Sequence, residues 1–168
     1  MNDCSLTRDL TTLIVRELAA FEREIEMFPD DDTIWQTRPG VTNSAGNLAM
    51  HLAGNLQHFI GAVLGKTDYV RDRPLEFSRQ AGTRAEVVAE LRRAAAVVED
   101  VLPRVTDAQL LQDYPEPLGG ATLPMQITLV HLTSHAAFHL GQAGYLRRLL
   151  TGDARSSGPL PLATLQRS

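Results

Sequence analysis

Two long stretches of this 168-residue chain contain no Asp, Glu, Lys or Arg: residues 39–65 and residues 117–146. A helix that crosses a bilayer needs about 20 predominantly apolar residues, so runs of this length raise the question of a membrane span. Their polar content answers it. The first run holds Asn43, Ser44, Asn47, His51, Asn55, Gln57 and His58; the second holds Gln126, Thr128, His131, Thr133, Ser134, His135, His139 and Gln142. In hydrocarbon every one of these groups would need a partner, with a penalty of up to a few kcal/mol where none is found. The runs read as a pair of helices packed inside a soluble protein, and no membrane partner is expected.

All five histidines lie in these two runs, and neither run offers a carboxylate to pair with them. One such histidine is most simply a half-buried ring bonded to backbone or to a nearby amide. Five together, without acidic neighbours, point to a shared task.

The rest of the chain supplies the frame. Sixteen Lys and Arg against twenty Asp and Glu leave a net charge of −4, with a sequence pI near 5.7, so the basic excess needed to grip a phosphate backbone is missing. No nucleic-acid partner is expected. The single cysteine, Cys4, allows no intramolecular disulfide and no thiolate cluster, and the first residues, Met-Asn-Asp-Cys, do not form the basic-then-apolar pattern of a secretory signal. A cytoplasmic location follows as the expectation.

Apolar periodicity predicts four helices. The first spans about 5–28, with Leu10, Ile14, Leu18, Phe21 and Ile25 on its inner side. The second starts behind an Asn43 or Ser44 cap and runs to Gly65, and Leu48, Leu52, Leu56, Phe59 and Val63 form its stripe. After a long connection, 66–82, a capping box of Thr83 and Glu86 opens the third, which stops at Pro103. The fourth runs from near Pro124 to Thr151, with Gly152 as its stop. Residues 126–130 have strand propensity, but no second strand exists to pair with them. Trp35, Phe59, Phe138 and Tyr145 read as core residues ahead of pocket-lining ones.

Four such helices make an all-α four-helix bundle over residues 1–152, followed by an extended or disordered tail over 153–168. The 66–82 connection is long enough to let helices two and three run parallel in an up-down-down-up order, although length alone leaves the order open.

His135 and His139 are four residues apart, so on a helix they lie one turn above each other on one face. Two imidazoles at that spacing can hold two corners of one divalent metal, and His51 on the other charge-free helix can complete the set. The wider pattern resembles the DinB/YfiT-like superfamily: His135-Ala136-Ala137-Phe138-His139-Leu140-Gly141-Gln142 on the last helix, preceded by Asn47-Leu48-Ala49-Met50-His51-Leu52 on the second. That resemblance covers roughly residues 5–151. It implies an up-down-down-up bundle, often dimeric, with a divalent metal held by His51, His135 and His139. It also implies a choice of chemistries, since the family includes S-transferases and isomerases that use low-molecular-weight thiols, alongside metal-dependent hydrolases by assignment only.

Three neutral imidazoles would leave a metal with an open position for water or a thiol, which is the pattern of a catalytic site. The expected reaction is attack by that water or thiol on a small electrophile, as in an S-transferase or hydrolase. The competing expectation is a non-catalytic dimeric bundle, a binding or stress-response module with a structural metal. Imidazole ligands suit zinc or nickel first, and iron, copper or manganese also. His58, His131 and Gln142 are weaker candidates. His58 and His131 read as packed polar residues ahead of proton shuttles or alternative ligands, while Gln142 either orients a ring or caps a helix contact. Asn47, one turn before His51, is a further candidate to orient a ring. Charge-free helices beyond what a small core can bury also predict a homodimer. Diiron, zincin, P-loop and Rossmann motifs are absent from the sequence.

Overall fold

The computed structural model describes residues 5–158 and 162–165. Cys4 lies outside the described residues, as do 159–161 and 166–168 of the expected tail. Six α-helices appear in order: α1 (Ser5–Glu26), α2 (Ala45–Leu56), α3 (Arg73–Ser78), α4 (Arg84–Val101), α5 (Asp107–Leu110) and α6 (Met125–Thr151). No strand occurs among the described residues, and residues 126–130 lie inside α6. None of the described helices is long and apolar enough to cross a membrane.

The helix ends follow local chemistry. Ser44 caps α2, accepting from the Asn47 backbone while the Asn47 side chain reaches back to Ser44; Thr83 and Glu86 do the same for α4. Gly152 ends α6 at φ +70°, a left-handed turn that costs glycine nothing. The short α3 sits in the stretch whose sequence predicts only a connection. Its start is nevertheless written there: the Asp72 side chain accepts from Leu75 N at 3.0 Å, and Pro74 occupies the first turn.

The four long helices pack in a ring, α1 and α2 each lying against both α4 and α6. Their senses follow from which residues meet. Glu22 and the Glu26 carbonyl, late in α1, meet Arg92 and Arg84 of α4, so those two helices run antiparallel. Glu24 meets Arg147 late in α6, so α1 and α6 run parallel. Beyond α2, Gly61 and Gly65 press against Val97 and Val101, so this chain runs parallel to α4. His51 meets both His135 and His139, while Leu48 shares a cleft with Leu146, so α2 and α6 are antiparallel. Between the helices lie fully buried Ile14, Phe21, Leu52, Leu56 and Leu91. Each stabilises the fold by about 1.5–3 kcal/mol relative to an exposed side chain.

Two details differ from the sequence expectation. The second helix does run on to Leu64, but from Gln57 onward it is a π-helix, with Gly65 N bonded to Ile60 O at 2.9 Å. This widened turn begins one residue before His58. Second, Phe138 and Tyr145 are 61% and 73% exposed rather than core residues. The α6 sequence is apolar on more than one face, and the bundle covers only the face bearing Leu129, Leu132, Ala136 and Ala143.

Candidate metal centre

The side chains of His51, His135 and His139 converge between α2 and α6, with one ring nitrogen of each lying within 4.8 Å of the others. His135 Nε2 is 3.3 Å from His51 Nε2 and 2.8 Å from His139 Nε2. The rings stand nearly perpendicular, His51 making 89° with His135 and 86° with His139, so they meet edge-on around one point.

Hydrogen bonds on the far side of two rings decide which nitrogen carries the proton. His51 Nδ1 is 2.8 Å from Glu76 Oε2, and an ionised carboxylate only accepts, so Nδ1 donates and Nε2 keeps its lone pair. His139 Nδ1 donates in the same way to Gln142 Oε1 at 2.8 Å. Two lone pairs are thereby aimed at the third ring. Burial, together with the neighbouring His139, His51, His131 and Arg71, lowers the pKa of His135 to about 3. Burial also lowers that of His139, against the opposing hydrogen bond to Gln142. These two rings are neutral at neutral pH, the state that a metal requires.

This donor set fits a divalent ion. Metal–imidazole bonds of about 2.0–2.1 Å place neighbouring nitrogens about 3 Å apart, close to the 3.3 Å and 2.8 Å of the two contacts through His135. Like-facing nitrogen lone pairs repel unless a proton or a cation lies between them, and a single ion would relieve both contacts through His135 together.

Glu76 corrects the sequence expectation that the histidines have no acidic partner. The carboxylate comes from α3, in the connection, and is 6% exposed. Burial alone would raise its pKa, but hydrogen bonds from His51 and from Arg71 outweigh that and hold it below the usual carboxylate value. Arg71 grips both oxygens, Nε to Oε1 at 2.7 Å and Nη2 to Oε2 at 2.8 Å. Gly54 makes the approach possible, since a Cβ there would sit 2.3 Å from Glu76 Oε1. Asn47 proves to hold this segment rather than a histidine ring. Its Nδ2 donates to the carbonyls of Glu76 at 3.0 Å and Arg79 at 2.8 Å, pinning the residues that present the carboxylate.

The remaining candidates contribute no nitrogen to the cluster. His58 turns to Glu116, 3.0 Å away, beyond the start of the π-turn. His131 is exposed and stacks on His135 at 5.9 Å and 19°, a contact through the ring face rather than a nitrogen. Gln142 is bonded to His139, which favours its ring-orienting reading over a helix cap.

A helical bundle with three histidine nitrogens converging between two antiparallel helices defines an all-α protein with a centre that can hold a divalent metal. The DinB superfamily profile matches residues 13–143, and the chain belongs to that superfamily. The solved structure of a conserved protein from Enterococcus faecalis is similar at a TM-score of 0.71, covering 88% of this chain and 98% of that one at 20% identity. This likeness concerns the fold. No curated protein matches the sequence.

Proposed function

We infer that the protein is a metal-dependent enzyme in which His51, His135 and His139 hold one divalent ion, zinc or nickel ahead of iron, copper or manganese. Such an ion acidifies a bound water or low-molecular-weight thiol and so supplies a nucleophile at neutral pH. The reaction is attack on a small electrophile, of S-transferase or hydrolase type. The observation that carries this reading is the convergence of three imidazole nitrogens, two of them with the proton fixed on the opposite side by Glu76 and Gln142.

The roles of the protein groups follow from their partners. Glu76 is ionised, but its oxygens are taken by Arg71 and His51, so it orients a ring and is not free to act as a general base. With no spare carboxylate among the groups bonded to the cluster, the acidity of the nucleophile falls to the metal. Three protein ligands leave a four-coordinate ion one position for water or a thiol.

The test is a screen of thiol consumption and of ester and amide hydrolysis, run on tag-free protein loaded with Zn²⁺ or Ni²⁺ and on the same protein after chelation. Turnover that disappears on chelation and in His135→Ala is the expected result. If chelation lowers only the melting temperature and no substrate class is turned over, the metal is structural and the bundle is a binding module.

Self-association belongs to the same proposal. The outer face of α6 exposes Ile127, Val130, Phe138, Tyr145 and Leu149, with the Arg148 guanidinium lying over the Tyr145 ring, a largely apolar face suited to a second copy of the chain. Light scattering at micromolar concentration is expected to give a dimer, and Phe138→Ser with Tyr145→Ser a monomer.

A further inference from the structure

Asn55 lies one turn after His51 on the same side of α2. It is 7% exposed, and its Oδ1 is sealed from solvent without a donor to meet it. Across the interface His135 Nδ1 is equally sealed and has no hydrogen-bond partner. Buried polar atoms are rarely left this way, so each needs a reason.

The helix geometry brings the two together. The His51 ring lies 5.2 Å from both His135 and His139, which puts it level with the turn of α6 between them. Four residues further on, with a rise of about 6 Å along antiparallel helices, Asn55 is level with the turn between His131 and His135. The two orphaned atoms are chemically complementary. Oδ1 only accepts, and once a metal takes the Nε2 lone pair of His135 the proton of that ring must sit on Nδ1.

We propose that Asn55 is the outer partner of His135: its Oδ1 receives the His135 Nδ1–H, directly or through one bridging water, and holds that ring's Nε2 on the metal. The proposal rests on the metal reading above and extends it. Each ring then has its own acceptor, Glu76 for His51, Gln142 for His139 and Asn55 for His135. Asn55 is a positioning residue, since it acts through His135. In the metal-free protein its Oδ1 is unsatisfied and burdens the fold, and that burden is offset once the ring is fixed.

This gives effects of opposite sign in one variant. Asn55→Leu removes the unmet amide, so the metal-free protein is expected to melt at the same or a higher temperature. Its Zn²⁺ affinity, measured against a chromophoric chelator, is expected to fall about 10–100-fold. Asn55→Asp keeps the acceptor and adds charge, restoring affinity to the wild-type level or above. Asn55→Ala adds no bulk, carries the same expectation for affinity and covers the case in which leucine does not fit. The ¹⁵N spectrum of His135 supplies a readout that packing would not move: Nδ1 is protonated and hydrogen-bonded in the Zn²⁺ form, and this signature is lost in Asn55→Leu. Wild-type affinity in both Asn55→Leu and Asn55→Ala, with binding still abolished by His135→Ala, would overturn the role of Asn55 and leave the metal reading standing. Failure of the wild-type protein to bind Zn²⁺ or Ni²⁺ would overturn the metal reading itself, and this proposal with it.

Discussion

Two clusters of polar side chains on α6 are built in opposite ways. Near the end of the helix, Arg147 is fully buried and paired with Glu24 of α1, and it also donates to the carbonyls of Asp153 and Arg155. Every polar partner there is protein, and the network is closed. About two to three turns earlier, His135 and His139 meet His51 at the cluster, while His135 Nδ1 and Asn55 Oδ1 find no partner at all. A closed network holds a fold together. A converging and incomplete one is suited to something the chain does not itself supply.

Substitutions separate the two regions, and the largest effect is expected at the open one. His135→Ala is expected to abolish stoichiometric binding of a divalent ion, read by elemental analysis, while leaving the metal-free protein folded by circular dichroism. His51→Ala and His139→Ala should do the same. The closed region should respond in the opposite manner. Arg147→Ala leaves Glu24 buried and uncompensated, and is expected to lower stability by about 3–5 kcal/mol in urea unfolding while the surviving folded protein binds metal normally. Comparable losses of metal binding from both regions would erase the distinction.

Smaller changes sharpen it. Gly54→Ala drives a methyl group into the Glu76 carboxylate, and overpacking of this kind costs about 1–3 kcal/mol. Here it should also weaken metal binding, because Glu76 can no longer reach His51. Glu76→Gln preserves the shape and removes the charge, with an expected loss of about 10–100-fold in metal affinity. Its pH dependence has a definite sign. The folded-state pKa of Glu76 is lowered, so its contribution to stability is fully present above the unfolded value, about 4.3, and is lost as pH falls through the folded value. The stability gap between wild type and Glu76→Gln should therefore close in acid; a gap that widened would contradict the ion-pair account. The smallest effect is expected from Gln142→Ala, below about tenfold in metal affinity, because Gln142 is exposed and water can replace its oxygen.

Much of this arrangement was legible in the amino-acid order because its signals are local. Thr83 with Glu86, Ser44, Pro103 and Gly152 announce helix ends within a few residues, and the His135/His139 spacing is read directly from the helical repeat. Glu76 was not legible. It lies in a connection, 25 residues after His51, and only the fold of α3, pinned by Asn47 and admitted by the missing side chain at Gly54, brings it to the ring. The widened turn at Gln57–Leu64 was equally hidden, since its apolar residues fit an ordinary helix just as well. The exposure of Phe138 and Tyr145 was misread for a related reason. Hydrophobicity says that a side chain favours burial, but only packing decides whether a neighbour is there to bury it.

The central claim is that three imidazoles share one ion. Zinc K-edge absorption of tag-free protein carrying one equivalent of Zn²⁺ tests it most directly. Three imidazole nitrogens at about 2.0–2.1 Å are expected in the wild-type protein, with no stoichiometric zinc left to observe in His135→Ala. Zinc that binds substoichiometrically, or with fewer than three imidazoles in the wild-type protein, would contradict the account.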